Sequence, residues 1–228
     1  MSPASPLRAV VFDLDGLMFN TEQLYYHVGS EMLRRRGKVL TQDLINQMIG
    51  RPSRVALQTM IDWHQLDDTV ETLLRDNDAI FDELLPTRLA PMPGLLPLLQ
   101  SLDRAEIPKA IGTSSRRVFV DKVLRPFALG PRFQFLLTSE SVQRGKPAPD
   151  IYLLAADRFG IRPSEMMVLE DSEIGCSAAV AAGTFAVAVP GDHSAAHCFD
   201  GAQFVADSLA DTRIYESLGL TRSLNPAP

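Results

Sequence analysis

The chain has 228 residues, 46% hydrophobic and 22% charged, with a formal net charge of −6. That length hides roughly 70% of the unfolded surface on folding, so one large domain, alone or with an insert, is expected. Its 14 Gly and 16 Pro fall well short of a disordered composition.

The longest basic run is Arg34-Arg35-Arg36, so counterion release offers little and no nucleic-acid partner is expected. Cys176 and Cys198 lack metal-ligand spacing and fit a reduced, cytoplasmic protein. The apolar stretch from Ala178 to Val189 is broken by Gly183 and Thr184, too short for a bilayer. The first apolar run meets Asp13 after four residues, so neither a signal peptide nor a membrane partner is expected.

In chain order, Ala9-Val10-Val11-Phe12 reads as a strand buried on both faces. Four amphipathic helices follow. Thr21 opens one with Leu24, Val28 and Met32, closed by Gly37; Thr41 opens one with Leu44, Ile45 and Met48, closed by Gly50. Ser53 opens a third through Leu57, Met60 and Ile61, and Asp68 a fourth through Val70, Leu73, Leu74, Ile80, Phe81 and Leu84, stopped before Pro86. With no strand between them, they read as a helical bundle, with Trp63 and Phe81 in its core.

From Gly94 onward, helices and buried strands alternate: helices near 95–105, 116–125, 149–159 and 174–182, strands near 109–112, 133–137, 166–169 and 184–189, and a last strand near 203–206. Repeated βα units imply an α/β fold, a doubly wound parallel sheet of Rossmann-like type. Residues 1–19 and 91–228 form this core, and residues 20–90 an inserted four-helix cap. The tail 223–228 reads as disordered.

Ligands of such sheets bind beyond the carboxyl ends of the strands. Asp13 and Asp15 stand there after the first strand, Thr113, Ser114 and Ser115 after the second, Gly145-Lys146-Pro147 after the third and Glu170-Asp171 after the fourth. Acids so crowded need a cation or must hold protons. An all-oxygen set suits Mg²⁺ better than zinc, and no histidine stands at these strand ends. Lys146 adds a point charge and Thr113 a hydroxyl donor, which makes a phosphoryl-transfer site. With no Walker A sequence and no dinucleotide fingerprint, a carboxylate nucleophile forming an aspartyl-phosphate is a natural route.

Asp13-Leu14-Asp15-Gly16, Thr113, Gly145-Lys146-Pro147 and Glu170-Asp171, in this order, resemble the four motifs of the haloacid dehalogenase superfamily of phosphohydrolases. A helical cap after the first motif resembles the beta-phosphoglucomutase-like subgroup. The stretch Asp13 to Tyr25 is also similar to pseudouridine-5'-phosphatase-like members. The resemblance implies Asp13 as nucleophile and Asp15 as general acid and base. Mg²⁺ would be held by Asp13, the backbone carbonyl of Asp15 and Asp171, with Glu170 direct or through water. Thr113 would bond a phosphoryl oxygen, Lys146 would neutralise Asp13 and the phosphate, and the N–H of Ser114 would join the phosphate cradle. The cap would exclude water, hinged near 17–20 and 89–93, and Arg51, Arg54 and Tyr25 would face the substrate, a small phosphorylated metabolite.

Phosphomutases of the subgroup carry a His where Tyr25 stands. His27 lies two residues on, about 200° around a helix, so a phosphatase is expected over a mutase. A phosphoacceptor signalling domain is the alternative of another class, but Asp15 and the helical insert argue against it. Other residues have blander readings. Ser114 or Ser115 caps the helix near Arg116, Arg34-Arg35-Arg36 is a helix C-terminal charge run, Cys176 is a small core residue, and His64, His193 and His197 are surface or loop residues. The oligomeric state is left open, a monomer being compatible.

Overall fold

A run of four apolar residues with no polar alternation must be covered on both sides, and Ala9–Phe12 is. In the computed structural model, which describes residues 6–48, 51 and 53–221, this run is β1. The chain divides into two compact units, residues 1–20 with 90–228 and residues 21–89.

The second unit holds α1 (Thr21–Arg34), α2 (Gln42–Met48), α3 (Ser53–His64) and α4 (Val70–Arg88). The apolar stripe of α1 buries Leu24, Val28 and Met32. Thr41 Oγ1 caps α2, accepting from the Leu44 N–H at 3.3 Å. Arg36 ties this unit together, with Nε 2.7 Å from Asp68 Oδ2 and a further bond to Asp76 Oδ2 at 2.5 Å. The expected stop at Gly50 lies outside the described residues.

Three expectations for these helices need correction. The cap of α4 is Thr69, whose hydroxyl accepts from the Thr72 N–H, and not Asp68, which is engaged by Arg36. Pro86 does not end the helix. It lies on the exposed side two residues from the end, and Leu85 beside it is buried. Trp63 is 41% exposed; it sits off the stripe that Leu57, Met60 and Ile61 bury.

The first unit is a six-stranded sheet in the order β3-β2-β1-β4-β5-β6. Its further strands are β2 (Lys109–Gly112), β3 (Leu136–Leu137), β4 (Met166–Glu170), β5 (Phe185–Ala188) and β6 (Phe204–Val205), and every pairing is parallel. Val11 of β1 sits opposite Ala110 and Val168, so β1 and β4 are the two middle strands of the sheet. Its helices are α5 (Leu95–Arg104), α6 (Arg117–Leu124), α7 (Asp150–Phe159), α8 (Glu173–Ala181) and α9 (Thr212–Ser217). One sheet face packs Val11, Ala110, Val168 and Ala186 against Tyr152, Ala155 and Ala179. This is the doubly wound α/β core expected from the sequence.

Strand β3 is shorter than the expected 133–137, because Phe133 closes the helical turn Gly130–Arg132 and regular pairing starts at Leu136. Helix α9 was not expected from the pattern. The segments 18–20 and 90–92 are bonded to each other: Asn20 N–H to Ala90 O at 3.1 Å, Ala90 N–H to Asn20 Oδ1 at 2.7 Å and Met92 N–H to Met18 O at 2.8 Å.

Candidate active site

The sheet ladder itself delivers the reactive side chains. The Asp13 N–H donates to Leu169 O and the Thr113 N–H to Leu137 O, both at 3.0 Å, so each residue is fixed one step beyond its strand. Gly16 (φ +73°) turns the chain directly after Asp15. Glu170 ends β4, and Ser172 caps α8 by accepting from the Gly175 N–H. Capping therefore falls to Ser172, leaving Glu170 and Asp171 to the cluster.

Lys146 is the cation at the centre. Its Nζ lies 2.5 Å from Asp13 Oδ1, 2.6 Å from Glu170 Oε1 and 2.9 Å from Gly112 O. All three side chains are almost wholly buried. Glu170 is further held by Tyr152 Oη at Oε1 and by Ser172 Oγ at Oε2, 3.2 Å away. Both its oxygens are thus engaged, which makes Glu170 an anchor for Lys146. A Cβ at Gly175 would overlap the Glu170 carboxylate. Gly175→Ala is therefore expected to cost about 1–3 kcal/mol of stability, read by urea unfolding, as an overpacked site does.

Asp15 is held differently. Ser115 Oγ donates to its Oδ2 at 2.6 Å, and Thr113 Oγ1 lies at 3.5 Å from the same oxygen. Thr113 Oγ1 also accepts the Ser115 N–H at 3.0 Å. The expected capping role of Ser114 or Ser115 is corrected: α6 has Arg116 at its cap position without a side-chain bond, and Glu140 Oε2 accepts the Arg117 N–H at 3.0 Å. Ser114 is exposed.

Burial pushes the Asp13 carboxyl well above the usual range. Lys146 pulls it down, but Glu170, Asp171 and Asp15 push it up again. Asp171 is raised for the same first reason, burial, against a lowering bond from His193. Burial alone would lower the Lys146 ammonium, but the facing Asp13 and Glu170 hold it above its ordinary value. Asp13, Glu170 and Asp171 can bring one oxygen each within 4.8 Å of one another, the one such group among the described residues. Negative charge that one lysine does not balance, on oxygen donors alone, fits a hard divalent cation.

Two residues at this edge escaped the sequence reading. Tyr152 meets Glu170 from α7. His193, in the helical turn Asp192–Ser194 after β5, has Nε2 at 2.7 Å from Asp171 Oδ2. The signal available was its place after β5, on the same edge as the other motifs.

Arg51, Arg54 and Tyr25 belong to the helical unit. Arg51 is exposed, Arg54 pairs with Glu71, and the Tyr25 ring lies 5.5 Å from that of Phe81. The two arginines share a recess of about 550 Å³ with Gln58 and Asp62.

Carboxylates at the ends of neighbouring parallel strands thus surround a buried lysine. The chain belongs to the haloacid dehalogenase-like hydrolase family, whose model matches residues 10–189. It is 34% identical over 207 residues to a probable pseudouridine-5'-phosphatase of Drosophila melanogaster, covering 88% of this chain and 89% of that one. It is 31% identical over 181 residues to a phosphorylated carbohydrates phosphatase of Thermotoga maritima, covering 78% and 82%. A crystal structure of a hydrolase of this family from Deinococcus radiodurans, with bound phosphate and sodium, superposes with a TM-score of 0.79 at 30% identity, covering 96% of this chain and 99% of that one. The chain is an enzyme of this phosphatase family. No helix among the described residues is long and apolar enough to cross a membrane.

Proposed function

We propose that this chain is a Mg²⁺-dependent, cytoplasmic phosphatase of small phosphomonoesters, sugar phosphates or nucleotide-like metabolites, acting through an aspartyl-phosphate on Asp13. The observation that carries this reading is the Lys146 ammonium bonded at once to Asp13 and Glu170 inside the carboxylate cluster. Relatives named as phosphatases of phosphorylated carbohydrates and of pseudouridine 5'-phosphate support the substrate class.

Asp13 attacks phosphorus, and the bond from phosphorus to the ester oxygen breaks. Asp15, steadied by Ser115, gives its proton to the leaving alkoxide. Asp15 then takes a proton from the water that attacks the aspartyl-phosphate, freeing inorganic phosphate and Asp13. Thr113 Oγ1 already accepts the Ser115 N–H, so its own proton can turn from the long contact with Asp15 to a phosphoryl oxygen. Lys146 offsets the charge that gathers on Asp13 and the phosphoryl group. Asp13, Asp171 and the Asp15 carbonyl would hold Mg²⁺, with Glu170 behind them. When bound, the ion neutralises phosphoryl oxygens and keeps Asp13 ionised. Arg51, Arg54 and Tyr25 are proposed substrate contacts of the cap.

Thr113→Val is expected to slow turnover by about two orders of magnitude, or about 3 kcal/mol of barrier, measured as kcat with saturating Mg²⁺. The function itself is tested by phosphate release from a panel of phosphomonoesters with Mg²⁺ and with EDTA. Release that needs Mg²⁺ supports it; release indifferent to EDTA, or an isomeric phosphate ester as product, overturns it. Mg²⁺ at a hundredfold excess over its Kd is expected to stabilise the protein by about 2.7 kcal/mol, seen as a rise in Tm.

A further inference from the structure

His193 reaches the carboxylate cluster from outside the four motifs. Its loop is fixed: the Gly191 N–H donates to Ser194 Oγ and the Ser194 N–H to Gly191 O, each at 3.0 Å, and Ser194 is fully buried. The imidazole is fitted between two glycines. A Cβ on Gly16 would stand 2.8 Å from its Cε1, and one on Gly191 3.1 Å from Cε1 and Nδ1. Its Nε2 meets Asp171 Oδ2 at 2.7 Å. Yet His193 is not in the group whose ligand atoms lie within 4.8 Å of one another. The ring therefore meets Asp171 without completing the donor set.

We propose that His193 is a positioning residue for the cation site: its Nε2–H holds Oδ2 of Asp171, so that Oδ1 is presented to the divalent ion. This rests on the reading of the cluster as a cation site. A ligating carboxylate that is free to rotate loses geometry and entropy on binding, and outer hydrogen bonds of this kind are worth roughly 10- to 100-fold in metal affinity.

The test is Mn²⁺ binding to the full chain without substrate, with free Mn²⁺ counted by electron paramagnetic resonance. His193→Ala is expected to weaken the Kd by roughly 10- to 100-fold. His193→Gln, whose amide nitrogen reaches the place of Nε2, should recover most of the loss, whereas His193→Asn, which reaches only as far as Nδ1, should not. If the alanine variant fails to fold, the Gln and Asn pair still decides. An unchanged Kd in the Ala and Asn variants overturns the proposal, and a tighter one shows that the imidazole competes with the ion and overturns it too. A wild-type chain that binds no Mn²⁺ removes the cation reading itself and this inference with it.

Discussion

Asp13→Asn is expected to lower phosphate release by a factor on the order of 10⁴ to 10⁶, as loss of a nucleophile does, while the fold gains stability relative to wild type as pH rises. The two effects share one cause. Burial and the neighbouring acids raise the Asp13 pKa above its unfolded value of 3.8. For a carboxyl raised on folding, the stability it contributes is present below the unfolded pKa and is lost as pH rises through the folded value. Above that folded value the ionised side chain therefore strains the metal-free fold, and the neutral amide removes that strain. Thermal unfolding in EDTA should show the variant's Tm climbing above wild type as pH rises, the gap closing in acid. A variant that turns over at a tenth of the wild-type rate would dismiss the covalent role.

Lys146→Met is expected to damage both activity and stability. The side chain is buried between Asp13 and Glu170, and removing one partner of a buried ionic group costs about 3–5 kcal/mol. Tyr152 and Ser172 still hold Glu170, so the loss falls chiefly on Asp13. The transferring phosphoryl group also loses its point charge, and kcat is expected to fall by roughly 10²- to 10³-fold. Urea unfolding and steady-state kinetics on one preparation would separate the two. If both stay within twofold of wild type, Lys146 is a bystander.

The core was legible because parallel strands buried on both faces leave short unbroken apolar runs, such as Ala9–Phe12 and Met166–Leu169. The rule that ligands gather beyond strand ends then drew Asp13, Thr113, Lys146 and Glu170-Asp171 to one edge, where hydrogen bonds now join Asp13, Lys146 and Glu170. What stayed hidden depends on tertiary contacts with no local pattern. His193 follows its partner Asp171 by 22 residues, and only the fold of the 191–194 turn aims its ring. Tyr152 looks like any apolar position of α7, because its hydroxyl alone sets it apart, and its partner Glu170 lies on another element. Ser115 reads as a helix cap until Glu140, from the turn after β3, takes that place. Pro86 was read by a rule for helix interiors, whereas it stands in the final turn of α4.

The stereochemical course at phosphorus is the most direct measurement. A phosphomonoester analogue made chiral at phosphorus with sulfur and oxygen isotopes would be hydrolysed in labelled water by the Mg²⁺-loaded protein. Attack by Asp13 followed by attack of water inverts phosphorus twice, so the product should retain its configuration. Inversion would mean a single displacement by water and would contradict Asp13 as the attacking group.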